Sequence, residues 1–476
     1  METRNYPDIV QGGMGVGISR WSLAKAVVSS GAIGVVSGTL IEVVMAWILQ
    51  MGDAGGHIRR ALGQFPIPEV AERVLKKYFL EKGKIIGQRL KRVPEFDLKP
   101  KNELIELTVC ANFVEIFLAK EGHDGFIGLN LLEKLQLANI FALYGAMLAG
   151  VDGVFMGAGD VKQIPEVLDK LANHEQVSYV VEVMGAISED DFRIWFDPVP
   201  FCRKKLPPLK RPDFFPVVAS PITVKKLFSK TSGTIQGFVV ETPLAGGHSA
   251  RPRGEKTFDA RGAPVYGKRD EINFEACVAL GLPFWVGGAS ASPEKLAEAK
   301  LRGAYGIQVG SAFALCEESG MEKVYRNEIR RLAFRGELEI FADPRGSSTG
   351  LVFHVASLPG SLFFNDVYEA RPRLCDIGRL RVPYKKENGT IGYRCPAEDV
   401  KAYDSKGGKE EDTIGRKCLC TGLLSMAGFP QRQKHGYLEV PIGTLGEDYS
   451  FVRHLMSHEE DSYTAGDVLR YLRREK

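Results

Sequence analysis

The segment Gly237-Phe-Val-Val-Glu-Thr-Pro-Leu-Ala-Gly-Gly-His248 joins a short apolar run to two glycines and an imidazole. A buried strand that ends this way lets the backbone approach a ligand closely and sets His248 at the rim. Imidazole takes or gives a proton near neutral pH and orients polar groups, which suits a general base. The alternative for His248 is a structural ring bonded to a backbone carbonyl. The same strand ending recurs in Pro283-Phe-Trp-Val-Gly-Gly-Ala-Ser290 and in Gly306-Ile-Gln-Val-Gly-Ser311. Gly246-Gly247, Gly287-Gly288 and Gly310-Ser311 offer backbone N–H groups, and Ser311 adds a hydroxyl; clustered donors of this kind make an anion-binding concavity. A single glycine pair is usually a tight turn, whereas three at matching positions predict one phosphate-holding site assembled from loops.

An earlier loop, Gln11-Gly-Gly-Met-Gly-Val-Gly17, follows the first strand candidate. Its spacing is not a dinucleotide fingerprint. Gly15-x-Gly17 meets Arg20 where a third small residue belongs, and the next strand candidate ends in Ser37-Gly-Thr39, not in an acid for a ribose. A glycine loop over the face of a flat ring fits better, because backbone can stack where a Cβ would collide.

These segments need a scaffold that brings strand ends together. Strand candidates occur at Asp8–Gln11, Ile33–Ser37, Phe126–Asn130, Asp152–Met156 and Phe215–Ala219, followed by the three strands above, with helical stretches between them. Eight βα units in about 310 residues predict an α/β fold, a (β/α)₈ TIM barrel over residues 1–340. Glycine-rich ends fall on the first, sixth, seventh and eighth strands, which are neighbours in a closed barrel. Residues from about 53 to 124 and from about 178 to 214 exceed ordinary connections and read as insertions that cap the site or make a subunit contact, leaving a homodimer open. From 341 to 476 the βα signal fades, and this part reads as a C-terminal extension or a small cysteine-containing domain.

Composition narrows the class. With 44% hydrophobic and 25% charged residues a core is available, and a net charge of +3 gives no reason to expect nucleic acid or an anionic membrane as partner. The N-terminus lacks a signal-peptide layout, and the apolar stretch Ala32 to Met51 contains Glu42 and Gln50, against a membrane span of about 20 uninterrupted apolar residues. Eight cysteines make no disulfide framework, and a reducing cytoplasm is the default setting. Cys375, Cys395, Cys418 and Cys420 have a spacing that fits no standard zinc or iron–sulfur frame, so no metal is expected.

The ordered set Gln11-Gly-Gly-Met14, Gly128-Leu-Asn130, Gly157-Ala-Gly159, Ala245-Gly-Gly-His248, Val286-Gly-Gly288 and Gln308-Val-Gly-Ser-Ala-Phe313 resembles the nitronate monooxygenase (2-nitropropane dioxygenase-like) family. FMN-dependent enoyl-ACP reductases are its close relatives. The resemblance runs over about residues 5 to 320. It implies an FMN-binding barrel in which Asn130 bonds the isoalloxazine and Gly12, Gly13 and Met14 line it. Gly246, Gly247, Gly287, Gly288, Gly310 and Ser311 would hold the phosphate, with Gln308 close by, and His248 would act as the base or substrate-orienting group of nitronate oxidation.

One position departs from that pattern. Many nitronate oxidisers carry Gln seven residues before the histidine, where this chain has Glu241, as the enoyl reductases do. An anionic Glu beside the edge of a flavin that gains negative charge is unfavourable unless protonated or paired. Glu241 therefore faces a cation, holds ribityl hydroxyls, or marks a different flavin chemistry. Arg251 and Arg253 add two positive charges where many relatives have one or none, pointing to an anionic substrate or a phosphate-bearing acyl carrier. Three functions follow as expectations: oxidation of an alkyl nitronate with oxygen, NAD(P)H-dependent reduction of an enoyl thioester, or a carrier- or partner-binding barrel in a biosynthetic complex.

Overall fold

A computed structural model describes residues 5–85, 87–433 and 436–475. Eight parallel strands build the central sheet: β1 (Ile9–Gln11), β2 (Gly34–Ser37), β3 (Ile127–Leu132), β4 (Gly153–Gly157), β5 (Asp213–Val218), β6 (Phe238–Glu241), β7 (Phe284–Gly287) and β8 (Gly306–Val309). They pair in chain order, and β1 also pairs with β8. The ring is completed by a parallel bridge between Val10 and Ile33, with Gln11 N donating to Ile33 O (2.9 Å) and Ile33 N to Ile9 O (3.0 Å). This is the predicted (β/α)₈ barrel.

The strands are short and nearly wholly buried, as strands covered on both faces must be, and so they read as continuous apolar runs. Inside the ring Val10, Val35, Phe155, Phe215, Val239 and Trp285 pack together. Phe155 stacks on Phe215 at 4.8 Å, and Tyr6 plugs the entry with edge contacts to Phe126, Phe215 and Trp285. Gly128 makes room for this layer, since a Cβ there would stand 2.7 Å from the Phe155 ring. The filled floor leaves only the carboxyl ends of the strands open to a ligand.

The long stretch between β2 and β3 divides in two. Its last helix, Asn102–Lys120, packs against both Trp21–Ser29 and Gln136–Leu148, which is the place of the barrel helix between β2 and β3. The added material is the preceding stretch with helices Ile41–Gln50, His57–Leu62 and Pro68–Tyr78. Between β4 and β5 the added material forms an antiparallel hairpin, Val177–Val180 with Arg193–Phe196.

Residues beyond β8 return to the mouth of the barrel. Val352–Ala356 pairs with Ile340–Asp343 on one side and with His248–Ser249 on the other, so the extension shares a sheet with the loop after β6. The last helix, Ala465–Arg473, packs on Trp21–Ser29. No helix among the described residues is long and apolar enough to cross a membrane. Glu42, inside the apolar stretch noted above, is neutralised by Arg379 of the extension at 2.6 Å.

Candidate active site

A cavity of about 480 Å³ opens over the carboxyl ends of the strands, within the range of small-molecule sites. Every residue given a catalytic or cofactor-binding role from the sequence lines it except Gly287. Gly287 lies behind the wall, where a Cβ would stand 3.0 Å from Glu241 Cγ and 3.3 Å from Gln308 Nε2.

The loop after β1 is shaped from within. Gln11 is fully buried; its Nε2 donates to Gly12 O (2.5 Å) and Ser19 Oγ (2.9 Å), and its Oε1 accepts from Val35 N (2.9 Å). Ser19 Oγ in turn accepts from Met14 N (2.9 Å). The loop folds down onto Asn130, so that a Cβ on Gly13 would fall 2.1 Å from Asn130 Cβ. Asn130 Nδ2 donates to Phe155 O at 3.3 Å. Gly157-Ala-Gly159 lines the cavity and packs tightly behind it: a Cβ on Gly159 would collide with the carboxylate of Glu133. That buried acid accepts from Tyr179 Oη (2.9 Å) and Gln136 Nε2 (2.7 Å), and burial raises its pKa.

At the ends of β7 and β8, among the described residues, the main-chain N–H groups of Gly288, Ala289, Gly310 and Ser311 have no protein acceptor. Gly288 has φ +84°, and a Cβ there would press 2.4 Å from Thr242 Oγ1. Free donors on a backbone that excludes side chains are the chemistry a phosphate group needs. The loop after β6 differs. Gly247 N donates to Thr444 Oγ1 (2.8 Å), and Ser311 Oγ accepts from Gly446 N (2.9 Å). Gly246 fits only as glycine because a Cβ would stand 2.7 Å from Gly446 N. These two contacts tie the extension to the site.

Glu241 has no cation as partner among the described residues. Gln308 Nε2 donates to its Oε1 at 3.0 Å, and burial pushes its pKa up to about 7 against that hydrogen bond. Much of the carboxyl is then neutral near pH 7, which removes the charge conflict that distinguishes Glu from Gln. Among the described residues no backbone carbonyl bonds His248. Its Nε2 meets Ser347 Oγ at 2.7 Å and its ring packs edge-on against Phe353 at 5.0 Å. Burial lowers its pKa to about 4, leaving a neutral ring at physiological pH.

Sequence reasoning missed Ser347, Phe353, Thr444 and Gly446. All lie in the extension, 99 or more residues beyond the loops they contact, and Gly346-Ser-Ser-Thr-Gly350 reads locally as a plain turn. Cys375, Cys395, Cys418 and Cys420 come within electrostatic reach of one another in a buried cluster, and Cys420 lines the cavity. Among the described residues no three His, Cys, Asp or Glu side chains are placed to hold a metal ion.

No family model matches the chain, and no curated protein matches it. Solved structures do align with it. FabK from Thermotoga maritima covers 99% of this chain and 92% of its own at 13% identity, with a TM-score of 0.47. A nitroalkane oxidase from Streptomyces ansochromogenes covers 99% and 96% at 12% identity, TM-score 0.43. The enoyl reductase domain of MlnA, from the macrolactin biosynthesis cluster of Bacillus amyloliquefaciens, covers 99% and 94% at 11% identity, TM-score 0.44. The chain is similar to these proteins in overall course. The barrel stands on its own strand pairing.

Proposed function

We propose that the protein is an FMN-dependent oxidoreductase that oxidises alkyl nitronates with oxygen, with His248 as base or orienting group. The observation that carries this reading is a neutral imidazole, aligned by a hydroxyl, on the wall of the cavity where acceptor-free backbone donors converge. The motif resemblance supports the same reading. FMN fits these residues: Gly12 to Met14 and Asn130 would line its ring, and the N–H groups of Gly288, Ala289, Gly310 and Ser311 would take its phosphate. When bound, it would supply the acceptor for two electrons from the substrate carbon. The protein's own part is placement and proton handling. A neutral His248 accepts the α-proton of a nitroalkane or donates a hydrogen bond to a nitronate oxygen, according to which nitrogen carries its proton. Protonated Glu241, held by Gln308, can act as a hydrogen-bond donor where Gln serves in relatives.

A second reading is reduction of an enoyl thioester with NAD(P)H. It is favoured by Arg251, which stands on the cavity wall without an acidic partner among the described residues. Anaerobic stopped-flow spectroscopy of the FMN-loaded protein decides between them. Flavin bleaching by a nitronate alone supports the oxidase, and bleaching by NADPH or NADH alone moves the assignment to the reductase. Failure to take up FMN ends both.

A further inference from the structure

The mouth of the cavity carries positive charge that the flavin reading leaves unused. Arg253 is met by Asp270, Nε to Oδ1 at 3.4 Å. Arg251, three positions after His248, is exposed on the cavity wall and has no carboxylate partner among the described residues. Arg416 reaches the same 345–350 turn from the extension, within electrostatic reach of Arg251. Its Nη1 donates to Ser347 O (2.6 Å) and Arg345 O (3.1 Å), and its Nε donates to Asp412 O (3.0 Å). Carbonyls thus fix the guanidinium in place without neutralising it, and its Nη2 has no protein acceptor among the described residues.

Arg251, Asp343, Asp412 and Arg345 are the charges that act most on Arg416, and Asp343 is already held by Lys417 Nζ at 2.6 Å. Arg251, Arg345 and Arg416 thus gather where one of the two nearby carboxylates is already paired. Holding like charges together is unfavourable unless an anion joins them. The cluster is also fixed to the reacting end of the cavity. Ser347, whose carbonyl receives Arg416, places its hydroxyl 2.7 Å from His248, and Arg251 lies against Gly350, where a Cβ would stand 3.2 Å from its Nη2. These arginines belong to the loop after β6 and to the extension, whereas the free main-chain donors belong to the ends of β7 and β8.

We infer that Arg251 and Arg416 form an anion subsite beside His248 that takes a phosphate or carboxylate borne by the substrate. Guanidinium forks match the planar oxygen pairs of both groups. The inference rests on the reading of this cavity as the reaction site, and it names the substrate class: a molecule whose reacting carbon is tethered to an anionic group.

The test measures binding, so that it can fail separately from the redox reading. FMN affinity is first titrated by flavin fluorescence for wild type, R251Q and R416Q. Calorimetry on the FMN-loaded proteins then compares 4′-phosphopantetheine with pantetheine, and pentanoate with pentanamide. In wild type the charged member of one pair is expected to bind about tenfold tighter than its neutral partner, and in R251Q the advantage shrinks to about twofold or less. Preference for 4′-phosphopantetheine assigns the site to a phosphorylated thioester, and preference for pentanoate assigns it to a free acid. Equal binding within both pairs, or a preference that R251Q retains, overturns the subsite. Because Arg251 is exposed and holds no loop, R251Q decides the matter even if R416Q loosens the 345–347 turn. A wild-type protein that takes up no FMN overturns the redox reading alone, and the same titrations on that protein still decide the subsite.

Discussion

The Ser347 hydroxyl lies 2.7 Å from Nε2 of His248 across a separation of 99 residues. It is itself placed by two contacts within its turn, accepting from Thr349 N at 3.1 Å and meeting Thr349 Oγ1 at 2.8 Å. A general base works only when its ring is held in the right orientation toward the substrate, and a fixed hydroxyl on one nitrogen holds it there. Ser347→Ala should therefore lower kcat about tenfold with KM within about twofold, and Ser347→Thr should restore part of the loss. Steady-state kinetics on the FMN-loaded variants check this. A fall in FMN affinity with kcat unchanged would instead assign Ser347 to packing.

Glu241 predicts a pH dependence. Its folded pKa of about 7 lies above the ordinary carboxyl value of 4.5, so the unfolded chain holds fewer protons between those limits. Its contribution to stability is complete below pH 4.5 and is lost as the pH rises through 7. Glu241→Gln should thus stabilise the protein at pH 8 by about 1–2 kcal/mol, after allowance for solvent screening, and change little at pH 5. Thermal melts at the two pH values test the difference. The same substitution should flatten any alkaline fall in kcat/KM centred near pH 7. An unaltered alkaline limb would place the titration elsewhere.

His248 runs the other way. Burial holds its pKa near 4, below the ordinary 6.5, so its contribution is complete above pH 6.5 and is lost as the pH falls toward 4. An acid limb due to His248 should accordingly centre near pH 4 in kcat/KM for free enzyme. A His248→Gln variant that keeps that limb while losing activity would show that another group produces it.

The barrel was legible because the strands are buried on both faces and four of them, the first, sixth, seventh and eighth, run into glycine, a pattern visible within ten residues of chain. The loop from Gly12 to Met14 over Asn130, and Gly246 to His248, were readable for the same reason: close backbone approach demands glycine at fixed places. What joins them was not. Ser347 and Thr444 act through single hydrogen bonds to loops far away in sequence, and neither spacing nor periodicity encodes such a pairing. Glu241 was flagged by its residue type, but its protonation depends on burial, which only the packed structure supplies. The helix Asn102–Lys120 was folded into an insertion by counting length, and its packing between two barrel helices places it in the ring.

The glycines at the strand ends give a direct test of the cofactor cradle. Gly288→Ala would place a methyl group 2.4 Å from Thr242 Oγ1 at φ +84°, a left-handed position that an L side chain adopts only with strain. The backbone must shift, and with it the free N–H groups of Gly288 and Ala289. FMN affinity should fall at least about tenfold while the fold loses about 1–3 kcal/mol. Fluorescence titration and urea unfolding measure the two effects separately. Gly267→Ala, which meets open space, is the control.

The extension is held by a charge pair that belongs to the deep core of the inserted helices. Arg379 Nε donates to Glu42 at 2.6 Å, both side chains are 2% exposed, and 337 positions separate them. Arg379 also donates Nη1 to Ile377 O at 2.8 Å and lies over the Phe96 ring at 5.0 Å. Removing one member leaves the other charged and dry, which costs about 3–5 kcal/mol, whereas replacing both by apolar groups restores much of that loss. Arg379→Met should thus lower the urea midpoint sharply, and the double variant Glu42→Leu/Arg379→Met should recover most of the difference. Because Leu380, next to Arg379, lines the cavity, Arg379→Met should also weaken FMN binding. If the two single variants and the double variant destabilise additively, the pair is not coupled, and the extension is anchored by its apolar contacts alone.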